Sequence, residues 1–334
     1  MLYNILLFPA RLFIHFYCRK IIINNKGMLR RQGPLIIASN HPNSFLDAII
    51  LATLFKNPVY SLARGDAFAG KLITKILTSF NMLPVYRVSE GVENLEQNYA
   101  TFEACQEIFK KNGIVLIFSE GRCINEWHLR PLKKGTARLA LAAWQHNIPL
   151  EVLPLGINYS SFRKFGKNVF LNFGNLITKE KINADFTSGI AINEFNEKLK
   201  QQLQKLVFEI DKNDKEKIKK YFYIYQPLLK KVILFIPSLT GYIFHSPLYS
   251  LIHLSIKNKA QDHYDSIMIG LLFFIYPFYV LMLTLVVFFS TKKPLSFGLL
   301  LLIPATALCL LHFKRQIKET RKKKLFQKRK CCKH

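Results

Sequence analysis

Acidic residues are scarce in this 334-residue chain: 21 Asp and Glu stand against 48 Lys and Arg, a formal charge of +27. An excess of that size favours polyanionic partners, and phospholipid surfaces, acidic substrates and nucleic acids all qualify. Half of the residues are hydrophobic and 13% are aromatic, which excludes a disordered basic protein. Cysteine is sparse as well. The residues at 18, 105, 123, 309, 331 and 332 form no Cys-x-x-Cys pair. Neither a disulfide framework nor a zinc site is indicated, and reduced thiols facing a cytoplasm fit better. The C-terminal Cys-Cys-Lys-His lacks the aliphatic spacing of a prenylation box. The N-terminus has no basic leader and no small-residue cleavage site, so a signal peptide is not expected. No Gly-x-Ser-x-Gly surrounds Ser44 or Ser119, which disfavours a covalent serine hydrolase.

What is present falls into regions of different composition. The apolar stretch from Leu2 to Tyr17 carries Arg11, His15 and a central Pro9, the profile of an interfacial helix whose cations snorkel rather than of a membrane span. From about residue 34 to 175, short β-rich runs alternate with helical stretches. Strands are expected at 34–38, 59–63, 82–86, 114–118, 152–157 and 169–173, with helices near 45–55, 67–80, 93–112 and 136–147. This order argues for an α/β fold, a mixed sheet flanked by helices, with functional residues on loops at strand ends. A charged helix at 191–212 runs into the Lys-rich stretch 211–220, the expected end of the domain.

Beyond residue 220 the chain turns apolar. Residues 232–256 are interrupted by Pro237, Gly241 and Pro247, which predicts a re-entrant or surface-lying hairpin. Residues 267–289 contain no charge and are long enough to cross a hydrocarbon layer of about 30 Å. A second span is expected at 295–313 after the short link 291–294, so the two form a transmembrane helical hairpin. The basic tail from Lys314 to Lys333 places itself, and with it the α/β domain, on the cytoplasmic side by the positive-inside rule. The expected organisation is therefore an interfacial segment (1–30), an α/β domain (31–220), an amphipathic or re-entrant apolar region (221–265), a transmembrane hairpin (266–313) and a basic cytoplasmic tail (314–334).

The most informative stretch is Ser39-Asn40-His41-Pro42-Asn43-Ser44-Phe45-Leu46-Asp47, between a buried strand and an apolar helix. A histidine at a strand end with a carboxylate about one helical turn on can form a base–orienter pair, in which Asp47 fixes the imidazole and His41 takes a proton from an attacking hydroxyl. On spacing alone, a capping Asp and a loop His are the favoured reading. Three more stretches follow at predicted strand ends: Asn81 to Arg87, Phe118-Ser119-Glu120-Gly121-Arg122, and Val152-Leu153-Pro154-Leu155-Gly156.

In this order and at these distances, the four stretches resemble the sequence blocks of the glycerolipid acyltransferase superfamily, typified by lysophosphatidic acid acyltransferases. The resemblance covers roughly residues 34 to 175. It implies that His41 and Asp47 are the catalytic pair, and that Arg87, Glu120 and Gly121 bind a phosphate-bearing acceptor. It links Pro154 to the acyl-donor side or to loop shape. Two departures stand out. The family's usual His-x4-Asp is His-x5-Asp here, and Ser119 replaces the usual proline, with Arg122 directly after Gly121. Arg122 is then a second candidate for the acceptor phosphate, because guanidinium matches phosphate geometry. Arg64, Arg130, Lys133 and Lys134 also lie near predicted loops, where a solvated basic surface is an equal reading.

The resemblance further implies acyl-CoA or acyl-carrier protein as co-substrate, no resident cofactor or metal, and membrane lipids as partners. The expected activity is acyl transfer to a hydroxyl of a lysophosphatidic acid-type acceptor in phospholipid biosynthesis. Glycerol-3-phosphate or a lyso-aminolipid is the alternative acceptor. A non-enzymatic, membrane-tethered polyanion binder is the rival class. The basic tail carries only Phe326 as an aromatic, which does not suit nucleic-acid stacking, and nucleic acid is not an expected partner.

Overall fold

The computed structural model describes residues 2–86, 97–258 and 262–314. In chain order it builds α1 (Leu2–Tyr17), β1 (Cys18–Ile23), β2 (Leu35–Ser39), α2 (Phe45–Leu54), β3 (Val59–Arg64), α3 (Lys71–Ser79) and β4 (Met82–Val85). Then come α4 (Gln97–Lys110), β5 (Ile114–Phe118), α5 (Gly135–Gln145), β6 (Glu151–Tyr159), β7 (Lys167–Phe173), α6 (Gly189–Leu206) and α7 (Lys215–Phe222). Three apolar helices close the described chain: α8 (Leu228–Ile256), α9 (Tyr264–Thr291) and α10 (Leu299–Phe313).

The strands form one seven-stranded sheet in the order β1-β7-β6-β2-β5-β3-β4. Neighbours pair in parallel except β6 with β7, which is antiparallel. β2 is central and apolar on both sides, as a strand between two helical layers must be. Leu35 and Ile37 join one core cluster with residues of α1, α2, α8 and α9, while Ile36 and Ala38 join the other with α4, α5 and α6. Pro154 stands inside β6, aligned with Ala38. Its carbonyl accepts from Gly174 N at 2.9 Å, and N and C=O of one strand residue point the same way. The missing N–H therefore faces away from β2 and leaves that ladder whole.

Several expectations are corrected. The boundary at residue 30 cuts through the sheet, because β1 pairs with β7 and its Cys18 is buried. α1 is only partly interfacial: Ile5, Phe8 and Leu12 are exposed, whereas Ile14 and Tyr17 are core residues and Phe13 packs edge-on against Phe273. Arg11 does not snorkel; its Nε donates to the Thr53 carbonyl at 2.7 Å. The Lys-rich stretch after α6 holds a helix, α7, capped by the Asp214 side chain and closed by the fully buried Phe222. The hairpin expected at 232–256 is a single 29-residue helix containing both prolines. Tertiary packing overrides the breakers, since α8 leans on α9 and α10. Three helices, not two, are long and apolar enough to cross a membrane. The four cysteines described, at 18, 105, 123 and 309, are free. Residues 315–334, most of the basic tail, lie outside the described residues.

Gly241 carries the α8–α10 contact: a Cβ there would stand 2.5 Å from the Thr306 carbonyl oxygen. Small residues allow such close backbone approach between apolar helices. Gly241→Leu is expected to cost about 1–3 kcal/mol through overpacking, read as a lower thermal midpoint of the detergent-solubilised protein. An unchanged midpoint would mean that the two helices do not meet at this point.

Candidate active site

Because β2 lies between β5 and β6, the loops after β2 and β5 emerge side by side. Ser119 N extends the β2–β5 ladder by donating to Ser39 O at 2.8 Å, a bond that a proline at this position would lack. The next residue ties the loops together. Glu120 accepts from His41 N through Oε2 at 2.8 Å and from Arg130 N through Oε1 at 2.9 Å. Both its oxygens are occupied by backbone, so Glu120 shapes the histidine loop. Ile124 N adds a bond to His41 O at 3.2 Å.

His41 and Asp47 meet across the longer spacing, with Nδ1 to Oδ2 at 2.9 Å. A carboxylate only accepts, so Nδ1 carries the proton and Nε2 is the nitrogen left for a substrate. The His41 side chain is 18% exposed and that of Asp47 is 0% exposed. Two further donors satisfy the buried carboxylate: Asn43 N to Oδ2 at 2.9 Å and the Tyr159 hydroxyl to Oδ1 at 2.7 Å. The His41 ring stacks on Phe118 at 3.7 Å between centroids. The extra residue is absorbed at Ser44, whose φ of 53° and ψ of −137° turn the chain sharply into α2. Asp47 thereby enters the first helical turn, reaching back to the N–H of Asn43.

Behind this pair lies a second buried cluster. Asp265, in the first turn of α9, accepts from the Tyr17 hydroxyl at 2.6 Å and from Asn43 Nδ2 at 2.8 Å, and it pairs with Lys167. Lys167 and Asp265 have no exposed side-chain surface. Burial pulls the Lys167 ammonium down to about 7. The neighbouring residues of α9 also touch the histidine loop. Ser44 Oγ lies 2.6 Å from His263 Nδ1, and Ser266 Oγ bridges Leu46 N and Asn43 O at 3.1 Å each. Sequence reasoning missed these residues. The signal available was Asp265 itself, an acid at the head of a long apolar helix, where ionisable groups mark function.

The remaining predicted residues are dispersed. Arg87 lies outside the described residues. Gly121 follows Glu120 with φ of 65°, a left-handed turn that suits glycine. Arg122 is exposed on that turn, as are Lys133 and Lys134 at the start of α5. Arg130 pairs with Glu126 at 2.9 Å, and Arg64 pairs with Asp66. Pro154 is buried in the sheet. A concavity on α3, lined by Lys71, Thr74, Lys75, Thr78 and Ser79, includes none of the predicted site residues. Among the described residues, no three His, Cys, Asp or Glu side chains cluster as metal ligands.

Residues 20–158 match the family model described as Acyltransferase. The match runs from β1 into β6 and takes in the histidine loop, Asp47 and the Glu120 turn. Together with the four ordered blocks, it makes this part of the chain similar to acyltransferases. Among solved structures, one similar chain is the 1-acyl-sn-glycerophosphate (LPA) acyltransferase PlsC from Thermotoga maritima, at 12% identity and a TM-score of 0.41, covering 62% of this chain and 78% of that one. Among curated proteins none matches.

Burial raises the Glu120 carboxyl from 4.5 to about 7, against the two backbone donors that lower it. A raised folded pKa means that protonation favours the folded state. That stabilisation is complete below about 4.5 and is lost as pH climbs through about 7. Relative to Glu120→Gln, the native chain is therefore expected to lose thermal stability between about pH 5 and pH 8. Midpoints of both proteins at the two pH values check this, and a pH-independent gap would count against it.

Proposed function

We propose that this protein transfers a fatty acyl group from an acyl-CoA or acyl-carrier-protein thioester to a hydroxyl of a lysophosphatidic acid-type acceptor at a membrane surface. The observation that carries the reading is His41, partly exposed and held through Nδ1 by the buried, three-fold satisfied Asp47. Nε2 takes the proton of the acceptor hydroxyl while its oxygen attacks the thioester carbonyl carbon. The tetrahedral intermediate then collapses, the C–S bond breaks, and the thiolate leaves with the proton returned from His41. Asp47 stabilises the transient imidazolium and stays ionised. Arg87 and Arg122 are assigned to the acceptor phosphate, as guanidinium groups flanking the loops of the second and third blocks. No resident cofactor takes part in this scheme.

The placement of the apolar helices supports an orientation. α9 begins at Asp265 against Lys167 of the sheet. α10 ends where Arg19 of β1 donates to the Leu311 carbonyl from Nε at 3.0 Å and Nη2 at 2.8 Å. The two helices thus leave from and return to the α/β domain, which favours the basic tail and the domain on one, cytoplasmic, face. α8 finishes at the buried Leu248, Ile252 and Ile256, so its C-terminal end rests on the core of that domain.

Purified full-length protein, given acyl-CoA and acyl-carrier-protein donors with a panel of lysophosphatidic acid, glycerol-3-phosphate and lyso-aminolipid acceptors, is expected to acylate lysophosphatidic acid best. His41→Ala should lower kcat by about 10²–10⁴. Full activity in folded His41→Ala protein would remove the mechanism, and a preference for another acceptor would replace the substrate.

One observation favours a second, covalent route. Ser44 sits at a strand-to-helix corner with positive φ, its Oγ close to His263 Nδ1, an arrangement that could form an acyl-serine. Direct transfer predicts that Ser44→Ala keeps kcat within about tenfold and that no pre-steady-state burst occurs. A burst of thiol release abolished by Ser44→Ala would establish the covalent route instead.

A further inference from the structure

The segment from Asp262 to Ser266, which leads into α9, grips the outside of the histidine loop: His263, Asp265 and Ser266 bond it directly and Asp262 through Asn125. Asn125 bonds Pro42 O at 2.9 Å and Asp262 O at 3.2 Å through one Nδ2. His263 meets Ser44, Asp265 meets Asn43, and Ser266 bridges Asn43 and Leu46. Anchoring an apolar helix to a domain would not require this much. The ion pair with Lys167 and the bond from Tyr17 already fasten Asp265 to β7 and α1.

Asn43 is the informative residue. Its side chain donates to Asp265 Oδ2, while its backbone N–H donates to Asp47 Oδ2, the same oxygen that receives the His41 proton. Only one residue therefore separates the carboxylate at the head of the apolar helix from the carboxylate of the proposed base pair. Asn43, Asp47 and Asp265 are all fully buried, so the link between the two carboxylates is set by hydrogen bonds without competition from water.

From this we infer that Asp265 is a positioning residue: through Asn43 it holds Asp47 and the His41 imidazole in line, which makes the head of the C-terminal apolar helix a working part of the active site. The inference rests on His41 acting as the base. Lys167 pairs with Asp265, so that this second buried carboxylate has a cationic partner behind Asp47.

The test uses the full chain in detergent micelles, with the donor and acceptor pair most active in the panel above. Asn43→Ala removes the link and leaves the Lys167–Asp265–Tyr17 anchor intact. It is expected to lower kcat by about 10- to 100-fold with both KM values within about twofold, because misaligned catalytic groups cost turnover rather than ground-state binding. Its thermal midpoint should stay near that of the native chain. Lys167→Met should lower kcat further by leaving a buried carboxylate unpaired. The double variant Asp265→Asn with Lys167→Met should recover most of that loss, since an amide oxygen still accepts from Asn43. A folded Asn43→Ala protein with native kcat overturns the inference, as does a double variant no better than Lys167→Met. If His41→Ala is itself fully active, the base assignment fails first; if His41→Ala is inactive while Asn43→Ala is not, only the positioning role falls.

Discussion

The structure depends on keeping one charge out of water. Asp47 has no exposed side-chain surface, and a carboxylate left there without hydrogen bonds would destabilise the fold. Three donors prevent that: the His41 ring, the Asn43 backbone and the Tyr159 hydroxyl. They come from the loop after β2 and from the end of β6, so the central pair of strands must be in register before the carboxylate is satisfied. The seven-stranded sheet, the cover on both of its faces and the turn at Ser44 all serve that one requirement.

The turn also explains how a longer spacing between His41 and Asp47 still gives a bonded pair. With the chain reversed at Ser44 and α2 starting at Phe45, the additional residue is spent before the helix begins, and Asp47 keeps its place in the first turn. Glu120 holds the other side of the loop by taking the His41 N–H. Its two oxygens are filled by backbone, which sets it apart from a group free to meet an acceptor. Ser119, at the position of a proline in the usual pattern, supplies an N–H to Ser39 and so draws the two loops together.

The apolar C-terminal part is joined to the α/β domain by polar contacts as well as by packing. Lys167, Tyr17 and Asn43 meet Asp265 at the head of α9, and Arg19 closes the last turn of α10 through its free carbonyls, a cation at the negative end of a helix dipole. Buried ionic groups are weak evidence for stability but strong constraints on arrangement. Here they fix where the helices stand relative to the histidine loop. Within the described residues, the docking of the apolar helices and the construction of the candidate site share the same side chains.

Much of this was legible in the order of residues. Alternating β-rich runs and amphipathic stretches carried the α/β class, because burial of both sheet faces imposes continuous apolar strands such as Leu35 to Ala38. The pairing of His41 with Asp47 was readable through the resemblance of four ordered blocks, since the spacing by itself also suits a capping Asp and a loop His. Hydropathy alone marked the apolar segments, because length and lack of charge decide whether a helix suits lipid. What sequence could not contain was contact between distant segments. β1 joined the sheet through β7, α8 ran straight through two prolines by leaning on α10, and Asp265 reached Asn43 across 222 positions. Those outcomes follow from which surfaces meet when the chain closes on itself, and only the tertiary structure decides that.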